Sequence, residues 1–250
     1  MKETIGGRTR FSVFLRSFAI QGSWNYRTLL GTGFGFALLP ALRVIYAGRP
    51  EDFQDAVRRH TTLFNCHPYL AGIALGAVAR LESEGESAEI VMRFKGALRS
   101  ALGSLGDRMV WAGLRPCCLL LALAMLLLGA PWWVCLAVFL AVYNSAHIAL
   151  RWWSLSTGWS AGKHVAARLR ESNLERYHEG FAHAGSFLLG LILPLVAVGA
   201  LTGDRLSTPW VAAGAIGAGV GLKFGSAVRY PLMVALVIVA LIGFLLRATS

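Results

Sequence analysis

The sequence predicts an all-α integral membrane protein that combines broken and re-entrant helices with interfacial amphipathic helices. Of its 250 residues, 56% are hydrophobic and only 15% are charged, and the mean hydropathy is +0.57. A soluble domain of this size contains fewer apolar residues, because water has to hydrate its surface. Long apolar runs alternate with charged segments, which is typical of helices that cross or touch a bilayer.

Four apolar runs are candidates for crossing the membrane: Leu119–Val142, Phe181–Leu201, Pro209–Leu222 and Pro231–Leu246. A complete crossing takes about 20 residues, so only some of these runs can cross unaided and the others are expected to be broken or re-entrant. Within the first run, Gly129-Ala130-Pro131 either separates two short helices that form a hairpin or bends one span. The sequence leaves both alternatives open.

The N-terminal part begins with a short apolar stretch, Phe11–Ile20, which Arg16 interrupts. We expect no cleavable signal sequence, because such a signal has a longer uninterrupted apolar segment. A helix is predicted to begin at Pro50, where two acidic residues follow that favour the positive end of the helix dipole. It is predicted to end near Cys66-His67, because Pro68 disfavours the helical conformation of the residue before it.

The next segments alternate between apolar and polar character. The apolar segment Tyr69–Ala79 would extend only about 16 Å as a helix, so we expect it to turn back or to meet another short helix. Leu81–Arg99 is predicted to form a polar cytoplasmic or interfacial helix, because its acidic residues precede its basic ones. The glycine-bounded segment from Gly103 to Asp107 predicts a break before the long apolar region.

We interpret the chain as a single membrane domain, 1–250, with amphipathic and re-entrant helices in 1–115 and the main transmembrane helices in 116–250. Its net charge of +11 comes from Lys and Arg residues scattered between apolar runs. Positive-inside topology and contact with membrane lipid explain this pattern better than nucleic-acid binding. We place the basic segment Arg151–Gly180 in the cytoplasm and the turn Thr202–Thr208 outside.

No pattern in the sequence indicates catalysis, a metal site or a cofactor. The four cysteines lack CxxC spacing and are predicted to pack as small apolar side chains: Cys66, Cys117, Cys118 and Cys135. The histidines form no ligand set and no Ser/His/Asp arrangement, and neither a Walker loop nor a zinc motif is present. We predict no catalytic residue, no metal site and no cofactor.

Two polar clusters are candidate substrate sites, because polar groups at membrane depth are costly unless they are paired or hydrated. Trp24 and Asn25 combine a ring that can stack on a pyranose with an amide that can bond sugar hydroxyls. The alternative is an aromatic anchor at the membrane interface. Asn65 and His67 lie where Pro68 breaks the chain, as in the substrate sites of many transporters. The alternative there is a helix cap with a satisfied histidine.

Three further polar residues are assigned structural or gating roles. Asp107 is either a substrate or coupling carboxylate or, the interpretation that we favour, the cap of the following helix. Arg115 and Asn144 are predicted to form hydrogen bonds between helices rather than to contact substrate.

An ordered series of motifs over roughly residues 11–200 resembles the IID subunits of the mannose/fructose/sorbose family of the phosphotransferase system (PTS). The series includes Gln21-Gly-Ser-Trp-Asn25-Tyr26, Phe64-Asn65-Cys66-His67-Pro68, Gly106-Asp107, Trp111-Ala-Gly-Leu-Arg115-Pro116 and Gly158-Trp159-Ser160-Ala161-Gly162. No single motif is decisive, but the ordered set is specific.

This resemblance implies a non-catalytic, multi-pass subunit of the bacterial inner membrane that assembles with IIC and moves a hexose. Cytoplasmic IIA and IIB proteins or domains relay phosphate in this family, and IID itself is not phosphorylated. The resemblance also implies an oligomeric IIC–IID complex. It marks Trp24, Asn25, Asn65, His67 and Asp107 as family-motif positions.

The segment Arg99-Ser100-Ala101 departs from the family pattern, which has a small apolar loop with glycine and proline there. An arginine changes the electrostatics of that segment. A second hypothesis is therefore a diverged regulatory or structural PTS subunit that does not transport sugar.

Overall fold

The structure is a computed structural model that describes residues 5–202, Ile216 and Gly219. The helices of this part are α1 (Gly7–Ser17), α2 (Gly31–Ile45), α3 (Pro50–His60), α4 (Ala71–Glu84), α5 (Ala88–Gly106), α6 (Arg115–Leu127), α7 (Trp132–Ala161), α8 (Val165–Glu171) and α9 (Leu174–Thr202). A π-helix, Asp107–Leu114, joins α5 to α6, and a 3₁₀ helix, Gly162–His164, joins α7 to α8. Apart from Thr202, Ile216 and Gly219, the predicted turn Thr202–Thr208 and the runs Pro209–Leu222 and Pro231–Leu246 lie outside the described residues.

The prediction of an all-α membrane protein with broken helices is confirmed. The helical stretches Ala88–Leu127 and Trp132–Leu193 are long and apolar enough to cross a membrane, and Gly31–Ile45 is a shorter apolar helix. Between α6 and α7 the chain breaks at Gly129, whose φ is 93°, and α7 begins directly after Pro131. Of the two alternatives for this region, two separate helices are therefore observed.

The chain divides into two compact units. Unit 1 comprises Met1–Arg108 and Ala146–Ser172, and unit 2 comprises Met109–Ser145 and Asn173–Ser250. Each unit draws residues from both sides of position 115. The interpretation as one domain with parts 1–115 and 116–250 stays a prediction.

Helix α4 lies at the centre of the core of unit 1. Every residue from Ala71 to Ala79 is buried, because the segment is apolar on all sides. The end of α7 approaches it closely, since a Cβ on Gly158 would collide with the backbone of Ile73. Small residues thus allow the two helix backbones to touch.

Helix α3 begins at Pro50, as predicted, but ends at His60 rather than near Cys66-His67. The hydroxyls of Thr61 and Thr62 donate to the carbonyl oxygens of Arg58 and Arg59, at 3.0 and 2.7 Å. These bonds satisfy carbonyl groups of the last turn, and the chain then forms a loop.

The prediction of a single polar helix over Leu81–Arg99 is wrong. Helix α4 ends at Glu84 because Gly85 adopts a left-handed conformation with φ of 81°. Helix α5 begins after Ser87, whose hydroxyl oxygen accepts a hydrogen bond from Ile90 N at 3.3 Å. Two helices therefore replace the predicted one.

The predicted break between Gly103 and Asp107 is also wrong, because α5 runs through it into the π-helix. Gly106 serves close packing instead, since a Cβ there would collide with the side chain of His67. Asp107 has helical dihedrals of −63° and −43°. It is therefore not an N-cap.

The described part of unit 2 has a small core between α6 and α9. Ala124, Leu188 and Ile192 are buried there, with partly buried leucines around them. Many other apolar side chains of α6 and α7 are exposed, among them Leu119, Leu123, Leu126, Trp132, Trp133, Leu136 and Leu140. The four cysteines, Cys66, Cys117, Cys118 and Cys135, are free thiols that are buried or partly buried.

Candidate functional site

Two loops of unit 1 are joined through their backbones and bring both predicted polar clusters together. We call them the loop pair: residues 21–30, which precede α2, and residues 61–70, which precede α4. Leu30 N donates to Phe64 O at 2.9 Å, and Phe64 N donates to Thr28 O at 3.2 Å. Backbone hydrogen bonds thus hold together two segments that are distant in the sequence.

Asn25 uses its side-chain amide to shape the first loop. Its Oδ1 accepts hydrogen bonds from the backbone N of Arg27 and of Thr28, at 3.0 and 2.9 Å. Its Nδ2 donates to Ser23 O at 3.1 Å and to Thr28 Oγ1 at 2.8 Å. These bonds leave the amide little capacity for a ligand, which favours a loop-shaping role.

The aromatic residues on either side of Asn25 are exposed. Trp24 is 46% exposed and Tyr26 is 90% exposed. Their rings meet edge to face, with centroids 4.8 Å apart and planes at 69°. A rigid turn therefore presents two aromatic rings, an arrangement that suits either a sugar face or a membrane interface.

The second loop presents Asn65 outwards and His67 inwards. His67 is 1% exposed, and its Nδ1 accepts a hydrogen bond from Tyr69 N at 3.2 Å. Its carbonyl oxygen accepts from Leu70 N and Ala71 N, at 3.0 and 3.1 Å. His67 therefore shapes the loop before α4, but it does not cap the helix, because the N-cap is Leu70 and no side chain bonds there. Asn65 is the accessible amide of this loop.

Asp107 lies at the edge of the loop pair, because its neighbour Gly106 packs against the ring of His67. The Asp107 side chain is exposed. The structure therefore groups five of the predicted site residues around the loop pair: Trp24, Asn25, Asn65, His67 and Asp107.

Arg115 and Asn144 belong to unit 2 and are not part of this group. The Arg115 guanidinium lies 5.5 Å from the ring centroid of Trp111. Asn144 Nδ2 donates to Leu140 O at 2.8 Å, one turn earlier in the same helix. The hydrogen bond seen for Asn144 is thus within a helix, whereas one between helices was predicted.

A buried hydrogen-bond network around Arg151 contacts the second loop. Arg151 is 4% exposed, and it donates to His147 Nε2 and to Ser17 O, both at 2.6 Å. The ring of His147 stacks on Tyr69 with a centroid distance of 3.9 Å. Ser154 Oγ donates to Tyr69 O at 3.0 Å. Hydrogen bonds therefore tie α1, the second loop and α7 together.

A second buried network, which we call the charge network, consists of Tyr46, Arg59, His60 and Glu82. Arg59 Nε and Nη2 donate to the two carboxylate oxygens of Glu82 at 2.9 and 2.7 Å. Tyr46 donates to the same carboxylate, and His60 Nε2 lies 2.6 Å from Glu82 Oε1. The Glu82 side chain is fully buried, so these partners replace its hydration shell.

The charge network lies outside the candidate membrane spans and determines the protonation of its members. Burial alone would raise the pKa of Glu82, but hydrogen bonds from His60, Arg59 and Tyr46 lower it to about 2. Burial and the bond to Glu82 raise the pKa of Tyr46 to about 12. Burial also lowers the pKa of His60, so a neutral ring donates to an ionised carboxylate.

Lys95 of α5 connects the charge network to the loop pair. Its Nζ donates to His60 O at 3.0 Å. The ammonium also lies 4.6 Å from the ring centroid of Phe34 and 5.4 Å from that of Phe64. Lys95 is 1% exposed, so two aromatic faces and one carbonyl oxygen surround the cation.

A polar cleft of about 690 Å³ opens beside the charge network. Its lining includes Tyr46, Arg59 and Glu82 of the charge network, together with Arg49 and Asp52. The three groups of the charge network are already bonded to one another. Among the described residues, no group of three or more His, Cys, Asp or Glu side chains is placed to hold a metal ion.

Neither buried network was predicted from the sequence. Glu82 and Lys95 were predicted to belong to a polar cytoplasmic or interfacial helix, whereas they are 3% and 1% exposed. A signal was present for Lys95, because it falls in register with the buried apolar residues Val91, Leu98 and Leu102. A charged residue inside an apolar helical stripe indicates a buried, partnered cation.

Comparison with known proteins identifies the family. Residues 4–205 match the family described as the PTS system mannose/fructose/sorbose family IID component. Over 186 residues, 72% of this chain, it is 31% identical to the PTS system mannose-specific EIID component of Escherichia coli (strain K12). It is 28% identical to the sorbose-specific EIID component of Klebsiella pneumoniae over 190 residues, 73% of this chain and 67% of that protein. The chain spans 65% of the length of the Escherichia coli relative.

Solved structures share the fold. A chain of the structure titled "CryoEM Structure of Mannose Transporter ManYZ and Microcin E492 (MceA) complex" aligns with a TM-score of 0.60 over 97% of both chains. A structure titled "Structure of membrane protein" aligns with a TM-score of 0.68, also over 97% of both chains. Both are 23% identical in sequence, so they bear on the fold alone. The match over residues 4–205 shows that this chain belongs to the IID components of the mannose/fructose/sorbose family of the PTS.

Proposed function

We propose that this chain is the IID subunit of a mannose-family sugar transporter and that it forms the translocation unit with a IIC subunit. In this proposal, the complex takes up a hexose that cytoplasmic IIA and IIB proteins or domains phosphorylate. The observation that carries the proposal is the family match, which includes the whole loop pair. Relatives named for mannose and sorbose support a hexose as substrate.

The exposed apolar faces of α6 and α7 support a location within the bacterial inner membrane, crossed more than once. Leucine and tryptophan side chains remain exposed on these helices. Such faces are stable when lipid or a second membrane subunit covers them. Both coverings are expected in a IIC–IID complex.

We assign substrate contact to the exposed members of the loop pair, Trp24 and Asn65. Asn25 and His67 hold the two loops in shape, because their polar atoms bond to neighbouring backbone groups. Asp107 is retained as a gating position at the edge of the loop pair. Arg115 and Asn144 have structural roles within unit 2.

The chain takes no part in phosphoryl transfer in this proposal. Its buried histidine His60 bonds to Glu82, and His67 packs against Gly106. The chain contributes to the translocation path and to the sugar-binding surface, and the soluble subunits supply the phosphate. Purified without partners, it is expected neither to transport nor to phosphorylate sugar.

The test is co-expression with a candidate IIC partner, in cells that lack other hexose transporters. We expect a complex that survives detergent purification and that takes up at least one labelled hexose from a panel of mannose, fructose, sorbose and glucose. A stable complex that moves none of them, with IIA and IIB present, would instead support the regulatory subunit suggested by Arg99–Ala101. Failure to bind IIC at all would contradict the proposed translocation unit.

A further inference from the structure

Lys95 is a buried cation for which the structure shows no carboxylate partner among the described residues. Its Nζ makes one hydrogen bond, to His60 O, and otherwise faces the rings of Phe34 and Phe64. Burying an ammonium is costly, and a methionine would fill the same space without that cost. We therefore expect the positive charge of Lys95 to have a role that an apolar side chain of the same volume would not fill.

The ring of Phe64 is the part of the loop pair that Lys95 touches. Phe64 is fully buried, and its ring lies 4.6 Å from that of Phe34. Its backbone N and O are the atoms that bind Thr28 and Leu30 of the first loop. A cation over this ring thus restrains the residue on which both loops depend.

The same lysine also holds the end of α3. The carbonyl oxygen of His60 accepts its hydrogen bond just before the second loop begins. The ring of His60 is in turn bonded to Glu82. Lys95 therefore restrains the second loop at its first turn and at Phe64.

We infer that Lys95 is a positioning residue that holds the loop pair in the geometry that presents Trp24 and Asn65. This inference rests on the proposed function, because it assigns substrate contact to those two residues. The physical reason is geometric, because the buried Nζ contacts α2, α3 and the second loop at once. These three contacts restrain the relative placement of the elements that carry the loops. Lys95 itself is buried and does not touch substrate.

The test compares three variants of the full chain co-expressed with IIC. Lys95→Met removes the charge and keeps the volume, Lys95→Arg keeps a cation, and Lys163→Met is the control at an exposed lysine. Hexose uptake is measured against sugar concentration and normalised to the amount of purified complex. Amide hydrogen exchange is measured on peptides that contain Leu30 and Phe64, without sugar.

For Lys95→Met we expect the apparent KM for uptake to rise about tenfold while the normalised maximal rate changes little, as loss of a desolvated cation–π contact predicts. Exchange at Leu30 and Phe64 should accelerate by a similar factor, while peptides of α4 stay protected. Lys95→Arg should recover most of the protection, and Lys163→Met should match the wild type.

Wild-type KM and wild-type protection in Lys95→Met would overturn the inference. So would an equal loss in Lys95→Met and Lys95→Arg, because the cation would then not be the cause. A lower amount of complex with unchanged KM would show a merely structural role. Since exchange is read without sugar, it tests the positioning of the loops even if the chain moves no hexose.

Discussion

Both units of the molecule expose apolar side chains, but they differ in buried charge. Unit 1 buries charged side chains, with Glu82 at 3% and Lys95 at 1% exposure. The described part of unit 2 exposes apolar ones, with Trp132 at 70% and Trp133 at 61%. Buried charge costs free energy unless its partners are fixed, so it specifies one geometry for the loops of unit 1. The exposed apolar helices of unit 2 instead require apolar surroundings, because lipid or a membrane partner has to cover them.

The largest effect is expected from breaking the charge network. Glu82→Gln removes the carboxylate that pairs with Arg59 and leaves a largely buried guanidinium without its counter-ion. Loss of one partner of a buried pair costs about 3–5 kcal/mol. Thermal unfolding of the purified chain in detergent or nanodiscs measures this loss.

The matched control is Glu84→Gln, two residues further along the same helix. Glu84 pairs with Arg80 at 2.8 Å, but both side chains are about 40% exposed. An exposed pair contributes about 0–1 kcal/mol, so this variant should unfold close to the wild type. Equal destabilisation by both variants would contradict the distinction between buried and exposed charge.

The pH dependence of stability provides a second test of the charge network. The pKa of Glu82 is lowered from 4.5 to about 2 by folding, so its contribution is complete above pH 4.5 and is lost as the pH falls towards 2. The pKa of His60 is lowered from 6.5, so its protonation adds to the loss below that pH. The unfolding temperature should fall between pH 6 and pH 3, and less steeply in Glu82→Gln than in the wild type.

The fold class and the candidate loops could be predicted from the sequence, because hydropathy and proline positions are local signals. Pro50 marked the start of α3, and Pro68 marked the loop that carries Asn65 and His67. The pairing of that loop with residues 21–30 was not predictable, since it depends on backbone hydrogen bonds between distant segments. Burial of Glu82 was missed for the same reason, because its partners come from the end of α2 and from α3.

A smaller effect is expected at the contact between α5 and the second loop. In Gly106→Ala the new Cβ would collide with the His67 side chain. Overpacking of this kind costs about 1–3 kcal/mol. The control is Gly103→Ala in the same helix, whose Cβ would meet only Cys66 Cα at 3.9 Å. That substitution should stabilise the helix by about 0.5–1 kcal/mol, and chemical denaturation of the two variants measures the difference.

The smallest effect on stability distinguishes the two asparagines of the loop pair. Asn25→Ala removes the hydrogen bonds that shape the first loop, which should cost about 1–2 kcal/mol. Asn65→Ala alters an exposed side chain, so its stability should stay within about 0.5 kcal/mol of the wild type. Uptake by the IIC complex should nevertheless weaken in Asn65→Ala. Unchanged uptake there would remove Asn65 from the proposed site.

The contrast between the units is tested most directly by thiol accessibility in membranes. In a variant that lacks the four native cysteines, a single cysteine is placed at Leu136 of α7 or at Arg58 of α3, both exposed in the structure. N-ethylmaleimide crosses membranes but reacts with thiolates in water. We predict rapid labelling at position 58, and at position 136 no labelling until the membrane is dissolved and the chain is unfolded. Equal labelling of the two positions in intact membranes would contradict the account.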